Sequence, residues 1–132
     1  MNGRGRSVPA NQLKEGIVLF AHGSRDPGWS RPFERIAATL AEKLPAVCVG
    51  LAFLEYGPSL DEVLAALVAK GTGSIRVVPL FLGQGGHVKD DLPRLVKSAS
   101  SGHAGVMVTL EKPIGEQPAV VAAIAGAIAA AR

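Results

Sequence analysis

The run LFAHGSRDP, Leu19 to Pro27, carries a buried-strand pattern straight into an imidazole, His22, and then into Gly23, Ser24, Arg25 and Asp26. Two further apolar runs end in comparable groups. AFLEYGP places Glu55 at the end of one, and FLGQGGH delivers His87 after Gly83, Gly85 and Gly86. Neutral imidazoles with a carboxylate suit divalent iron, cobalt, nickel or zinc. With so few protein ligands, coordination positions stay open for a substrate. Imidazole also exchanges protons near neutral pH, so either histidine could serve as a base. The glycines would let backbone approach a flat ligand closely, with Phe81 and Leu82 as an apolar wall against a planar ring.

Taken singly, each of these residues has a plainer role. His22 could cap a strand by bonding to backbone, and His87 could be a loop or helix-start residue. Glu55 could be an exposed strand-end charge. Arg25 and Asp26 could simply turn the chain around Pro27, and Trp29 could pack over the following helix. Cys48 reads as a small core residue. The joint placement of His22, Glu55 and His87 is what points to a site.

That placement depends on the elements between them. Four β-branched runs with little alternation start at Gly16, Ala46, Ser74 and Ala104, as strands buried on both faces of a parallel sheet do. Helical patterns separate them. Phe33, Ile36, Ala37, Leu40 and Leu44 share one face, with Ser30 as N-cap. SLDE from Ser59 reads as a capping box for a helix ending at Gly71. A third helix is expected after Asp91, with Pro93 in its first turn, and a fourth from about Pro118. The pattern is α/β: a four-stranded parallel sheet in (βα)4 order with helices on both faces, a three-layer sandwich. In such sheets ligands bind beyond the carboxyl ends of the strands. His22, Glu55, His87 and the pair Glu111–Lys112 all fall there, and His103 falls at the opposite edge.

The 132 residues are read as one domain, 16–132, behind a flexible polar leader, 1–15. With 48% hydrophobic and 19% charged residues the chain is globular in composition, and no apolar run is long enough for a membrane span. A single cysteine makes a reducing cytoplasm the expected compartment. A net charge of +3, without a basic block, argues against nucleic acid and leaves room for a small polyanion.

The segments LFAHGSRDP, AFLEYGPSLDEVL, VVPLFLGQGGHVKDDLP and PIGEQP together resemble the short, single-domain class II chelatases, the sirohydrochlorin cobaltochelatases and their ferro- and nickel-chelatase relatives. The resemblance implies a flavodoxin-like half of a class II chelatase that inserts cobalt or iron into sirohydrochlorin for cobalamin or sirohaem synthesis. By the same resemblance His22 is proton acceptor and metal ligand, His87 is the second metal ligand, and Glu55 handles substrate or metal. Leu82, Gly83, Gln84, Gly85, Gly86 and His87 would line the tetrapyrrole site. No tightly bound cofactor is implied, because Co2+, Fe2+ or Ni2+ is itself a substrate. Longer family members fuse two such halves, so a homodimer with a shared cleft is implied, without nucleic acid or membrane. Arg25, Arg31, Lys89 and Lys112 are candidates to meet the carboxylates of the macrocycle.

Two other readings compete. A histidine phosphatase would carry an arginine before the histidine, where this chain has Ala21. A non-enzymatic divalent-metal carrier or sensor would use the same histidines, and only an insertion assay separates it from an enzyme.

Overall fold

The computed structural model describes residues 14–83 and 85–132, apart from the side chain of His87. Most of the expected leader, and Gln84, lie outside the described residues. The strands are β1 (Lys14–Ala21), β2 (Cys48–Phe53), β3 (Thr72–Pro79) and β4 (Met107–Leu110). They form one parallel sheet in the order β2-β1-β3-β4. β1 starts at Lys14, so Lys14 and Glu15, expected in the leader, belong to the sheet.

β1 is central, and from Gly16 to Ala21 it is continuously buried. Its side chains feed two cores. Val18 and Phe20 join Ile75 and Val77 on one face; Ile17 and Leu19 join Val78 on the other. This is why the run shows no alternation: both faces are covered.

The helices are α1 (Arg31–Lys43), α2 (Leu60–Ala69), α3 (Gly86–Ser100) and α4 (Pro118–Ala130). α2 and α3 cover the Val18 face, with Leu60, Leu64, Leu67, Leu92, Val96 and Ala99 buried in that core. Burying each large side chain contributes roughly 1.5–3 kcal/mol. α1 lies on the other face, where Ala37 and Leu40 meet the Ile17 cluster. The division follows from right-handed crossovers: the step from β1 to β2 runs one way across the sheet, and the later steps run the other.

The capping box at Ser59 forms as expected, with Ser59 Oγ accepting from the Glu62 N–H and Glu62 returning the bond to the Ser59 N–H. Three local expectations are corrected. Ser30 occupies the N-cap of α1 with helical backbone angles, and its hydroxyl donates to Glu34 Oε2 at 2.8 Å instead of capping. α3 begins at Gly86, before Asp91, so Pro93 lies in its interior and not in its first turn. Pro93 and Lys89 are both exposed, on the side of the helix where water can take the carbonyl that proline leaves without a donor. The stripe on α1 is only partly covered, since Ile36 and Leu44 remain exposed.

The α1 side of the sheet is incomplete beyond β1. Ser74 and Arg76 of β3 pair in register with Met107 and Thr109 of β4, and all four are exposed. α4 does not cover them. It has no charged residue from Pro118 to Ala130 and buries none of its side chains, leaving Val121, Ile124 and Ile128 exposed. No described helix is long and apolar enough to cross a membrane.

Candidate functional site at the carboxyl edge of the sheet

The ladder between β1 and β2 does not stop where the strands end. Ala21 pairs with Phe53; beyond it the Leu54 N–H donates to the Ala21 carbonyl and the Glu55 N–H to the His22 carbonyl, each at 2.9 Å. The backbone thereby sets His22 beside Glu55. Their side chains approach to 3.6 Å between Nε2 and Oε2, and both are more than half exposed. That separation is within ion-pair reach and longer than a hydrogen bond.

Gly23 makes the approach possible. Its φ of +95° lies in the left-handed region, and a Cβ there would run into the Glu55 carbonyl oxygen. The glycine after His22 is therefore a steric requirement of bringing the β1 and β2 ends together.

The loop that follows is tied down locally. Ser24 Oγ accepts from the Asp26 N–H at 3.1 Å, and Asp26 Oδ1 accepts from the Gly28 N–H at 3.0 Å. Trp29 stacks on Phe33 with ring centroids 4.6 Å apart and meets Phe53 edge-on at 6.0 Å, fastening the loop to the end of β2. Arg25 crosses to the other loop, donating from Nε at 3.3 Å and Nη2 at 3.0 Å to the Tyr56 hydroxyl. Tyr56 had no expected role in the sequence; the signal was its place before the turn-forming Gly57–Pro58. A hollow of about 120 Å³ between the two loops is lined by Ser24, Asp26, Trp29, Phe53, Glu55 and Tyr56. A larger, shallow groove runs along α1, lined by Pro32, Arg35, Ile36, Thr39, Leu40 and Lys43 and by none of the residues at this edge.

β3 contributes the other side of the edge. The Leu80 N–H donates to the Phe20 carbonyl at 2.8 Å, after which the chain turns out through Leu82, which is 73% exposed. Gly83, Gly85 and Gly86 have open space around them. His87 falls in the first turn of α3, at the same edge as His22 and Glu55; its side chain lies outside the described residues. Among the described residues no group of three histidine, cysteine or acidic side chains is arranged to hold a metal ion. The segment is braced from the β4–α4 connection, where the Gly115 N–H donates to the Phe81 carbonyl at 2.9 Å and a Cβ on Gly115 would strike the Leu82 backbone.

The fourth strand end does different work. Glu111 accepts from Arg76 Nε at 2.6 Å and from Nη2 at 3.1 Å, a two-pronged pair over the sheet. That hydrogen bond, with the arginine's charge, holds the Glu111 carboxyl below its ordinary value. A depressed folded-state value adds stability above the unfolded-state titration, which disappears as pH falls through the folded one. Glu111→Gln is therefore expected to lower the melting temperature slightly at neutral pH. The gap from wild type should close on acidification, as a thermal melt series in pH would show. His103 lies between α3 and β4, at the far edge, as the topology requires.

The chain matches the CbiX family model over residues 16–131. A sirohydrochlorin cobaltochelatase of Methanococcoides burtonii is 34% identical over 111 residues, spanning 77% of this chain and 85% of the relative. One of Saccharolobus islandicus is 42% identical over 82 residues, 61% of this chain and 62% of the relative. Among solved structures, a CbiX protein of Marinobacter aquaeolei superposes with a TM-score of 0.76 at 34% identity, covering 86% of this chain and 93% of that one. The sirohydrochlorin chelatase SirB of Bacillus subtilis, in complex with cobalt, gives 0.76 at 28% identity, covering 88% of this chain and 50% of SirB. This chain thus spans about half the length of SirB. With nearly its whole described length matched, the chain belongs to the CbiX family.

Proposed function

We propose that this protein is a chelatase inserting a divalent metal, cobalt or iron, into sirohydrochlorin for cobalamin or sirohaem synthesis. The observation that carries the reading is the His22–Glu55 pair, held 3.6 Å apart on the exposed edge by a backbone ladder that outruns its strands. The names of the relatives supply the substrate.

Insertion replaces two pyrrole N–H protons by M2+, so the site must both present a metal and take protons. His22 does both in turn in this scheme: its one free nitrogen lone pair binds the incoming ion and, once the ion has passed to the ring nitrogens, takes one pyrrole proton, while the second leaves to water at the open rim. Glu55 steadies the imidazolium so formed and shares the ion. His87 is the second ligand, delivered by the first turn of α3. An ion held by so few groups can be passed on, where a closed tetrahedral site would keep it. The hollow beside Glu55 is too small to enclose a tetrapyrrole, so the macrocycle lies against the open rim, over His22 and along Leu82, Gly83, Gln84, Gly85 and Gly86.

A second copy of the chain closes the cleft. The bare sheet face at Ser74, Arg76, Met107 and Thr109 and the uncovered apolar α4 support a homodimer, since each is surface that a lone domain normally buries. Light scattering should give twice the mass of one chain.

The decisive experiment mixes the purified protein with sirohydrochlorin and limiting Co2+, Fe2+ or Ni2+ and follows the visible absorption. Insertion is expected to exceed the spontaneous rate by at least ~10²-fold for the physiological metal, in keeping with positioned acid–base chemistry. Metal binding without acceleration would make the protein a carrier.

A further inference from the structure

Arg25 and Tyr56 flank the His22–Glu55 pair from the two loops that carry it. We propose that Arg25 is a substrate-binding residue that grips one peripheral carboxylate of the macrocycle, and that Tyr56 is a positioning residue holding the guanidinium ready for it. The inference rests on the proposed tetrapyrrole site.

Three observations carry it. The first is which donors are used. Nε and Nη2, one side of the guanidinium, both point at the Tyr56 hydroxyl, and Cζ sits 5.3 Å from the centre of the phenol ring. The end-on fork, Nη1 with the second hydrogen of Nη2, remains open for a bidentate carboxylate. The second is charge. The partner that fixes Arg25 is neutral, and among the described residues no carboxylate comes within ion-pair distance of it. Arg76 shows the contrast, since Glu111 occupies it from the side. Asp26, the acid next in sequence, uses Oδ1 on the Gly28 N–H. Arg25 is thus an ordered arginine whose full charge is left for an anion from outside.

The third observation is backbone cost. Tyr56 has a φ of +60°, the one described non-glycine residue in the left-handed region, and it is 57% exposed. Such a conformation costs an L-residue about 1 kcal/mol or more, and such outliers gather at functional sites. A glycine or asparagine would turn the chain more cheaply. The tyrosine buries little there; what it adds is a ring under Arg25 and a hydroxyl to orient it.

A carboxylate held at one point on the rim would fix the macrocycle's rotation over His22 and favour tetrapyrroles with acidic edges. The test is titration of the protein with metal-free sirohydrochlorin, read by the ligand's own absorbance, with melting temperatures confirming that the variants fold. Arg25→Gln is expected to raise Kd about tenfold, Arg25→Lys about threefold because it lacks the fork, and Tyr56→Phe two- to threefold (about the scale of one lost charge-assisted contact and its partner). Affinity in the wild type should fall with salt more steeply than in Arg25→Gln. In Co2+ insertion the loss should appear in KM for sirohydrochlorin rather than in kcat. A Kd for Arg25→Gln within twofold of wild type overturns the role of Arg25. Weakening by Arg25→Gln but not by Tyr56→Phe overturns that of Tyr56. Wild-type protein that fails to bind sirohydrochlorin at all removes the tetrapyrrole reading itself, and this inference with it.

Discussion

His22→Ala is expected to slow metal insertion by ~10²–10³-fold while the melting temperature stays within a few degrees of wild type. The two halves of that expectation have separate causes. The His22 side chain is more than half exposed and belongs to neither core, so removing it opens no cavity. Its carbonyl, which anchors the Glu55 N–H, is backbone and survives the substitution. What disappears is the group assigned both to bind the ion and to take a proton. Initial rates at saturating Co2+ and sirohydrochlorin, beside a thermal melt, measure the two halves. Glu55→Gln should be milder, about tenfold, because it leaves the imidazole in place and removes only a neighbouring charge. His103→Ala, at the other end of the sheet, should leave the rate alone. Wild-type turnover in His22→Ala would refute the chemistry proposed for this edge.

Gly23→Ala, a change of one methyl group, is expected to be the most damaging small substitution in the site. Two penalties coincide. Alanine in the left-handed region costs ~1–2 kcal/mol, and forcing a methyl into an occupied space costs a further ~1–3 kcal/mol. For a domain of this size that lowers the melting temperature by about 10 °C or more. The obstructing atom is the Glu55 carbonyl oxygen, so relief requires the β1 and β2 ends to part, which pulls Glu55 from His22. Activity should therefore fall even at temperatures where the variant is fully folded. Gly83→Ala is the control for stability. Gly83 has open space around it, and its melting temperature should be close to wild type.

The strand count and the βα alternation were legible because β1 is buried on both faces, β3 is so from Val77 to Pro79, and α2 carries its own start signal in the Ser59–Glu62 box. The start of α3 was obscured by Gly85, Gly86 and Pro93, which argue for a loop when weighed one residue at a time; burial of Leu92, Val96 and Ala99 along one face outweighs them. At the site, the sequence could place His22, Glu55 and His87 at one edge but not beside one another. Proximity of His22 and Glu55 comes from the order β2-β1-β3-β4, which makes β1 the neighbour of both β2 and β3, and from two hydrogen bonds past the strand ends. Long-range pairings such as Arg25 with Tyr56 or Arg76 with Glu111 leave no local pattern to read. α4 illustrates the reverse limit: its apolar sequence looks like core, and the chain alone offers it none.

The strand that ends at His22 is the one least able to move. Its amides lie in mid-sheet under two layers of packing, so they should surrender their protons to solvent only when the entire domain unfolds. Gly83 and Gly85, beyond Phe81, are exposed, with open space where a side chain would stand. Whatever docks at this edge therefore meets a His22 whose backbone is anchored in the part of the domain slowest to open.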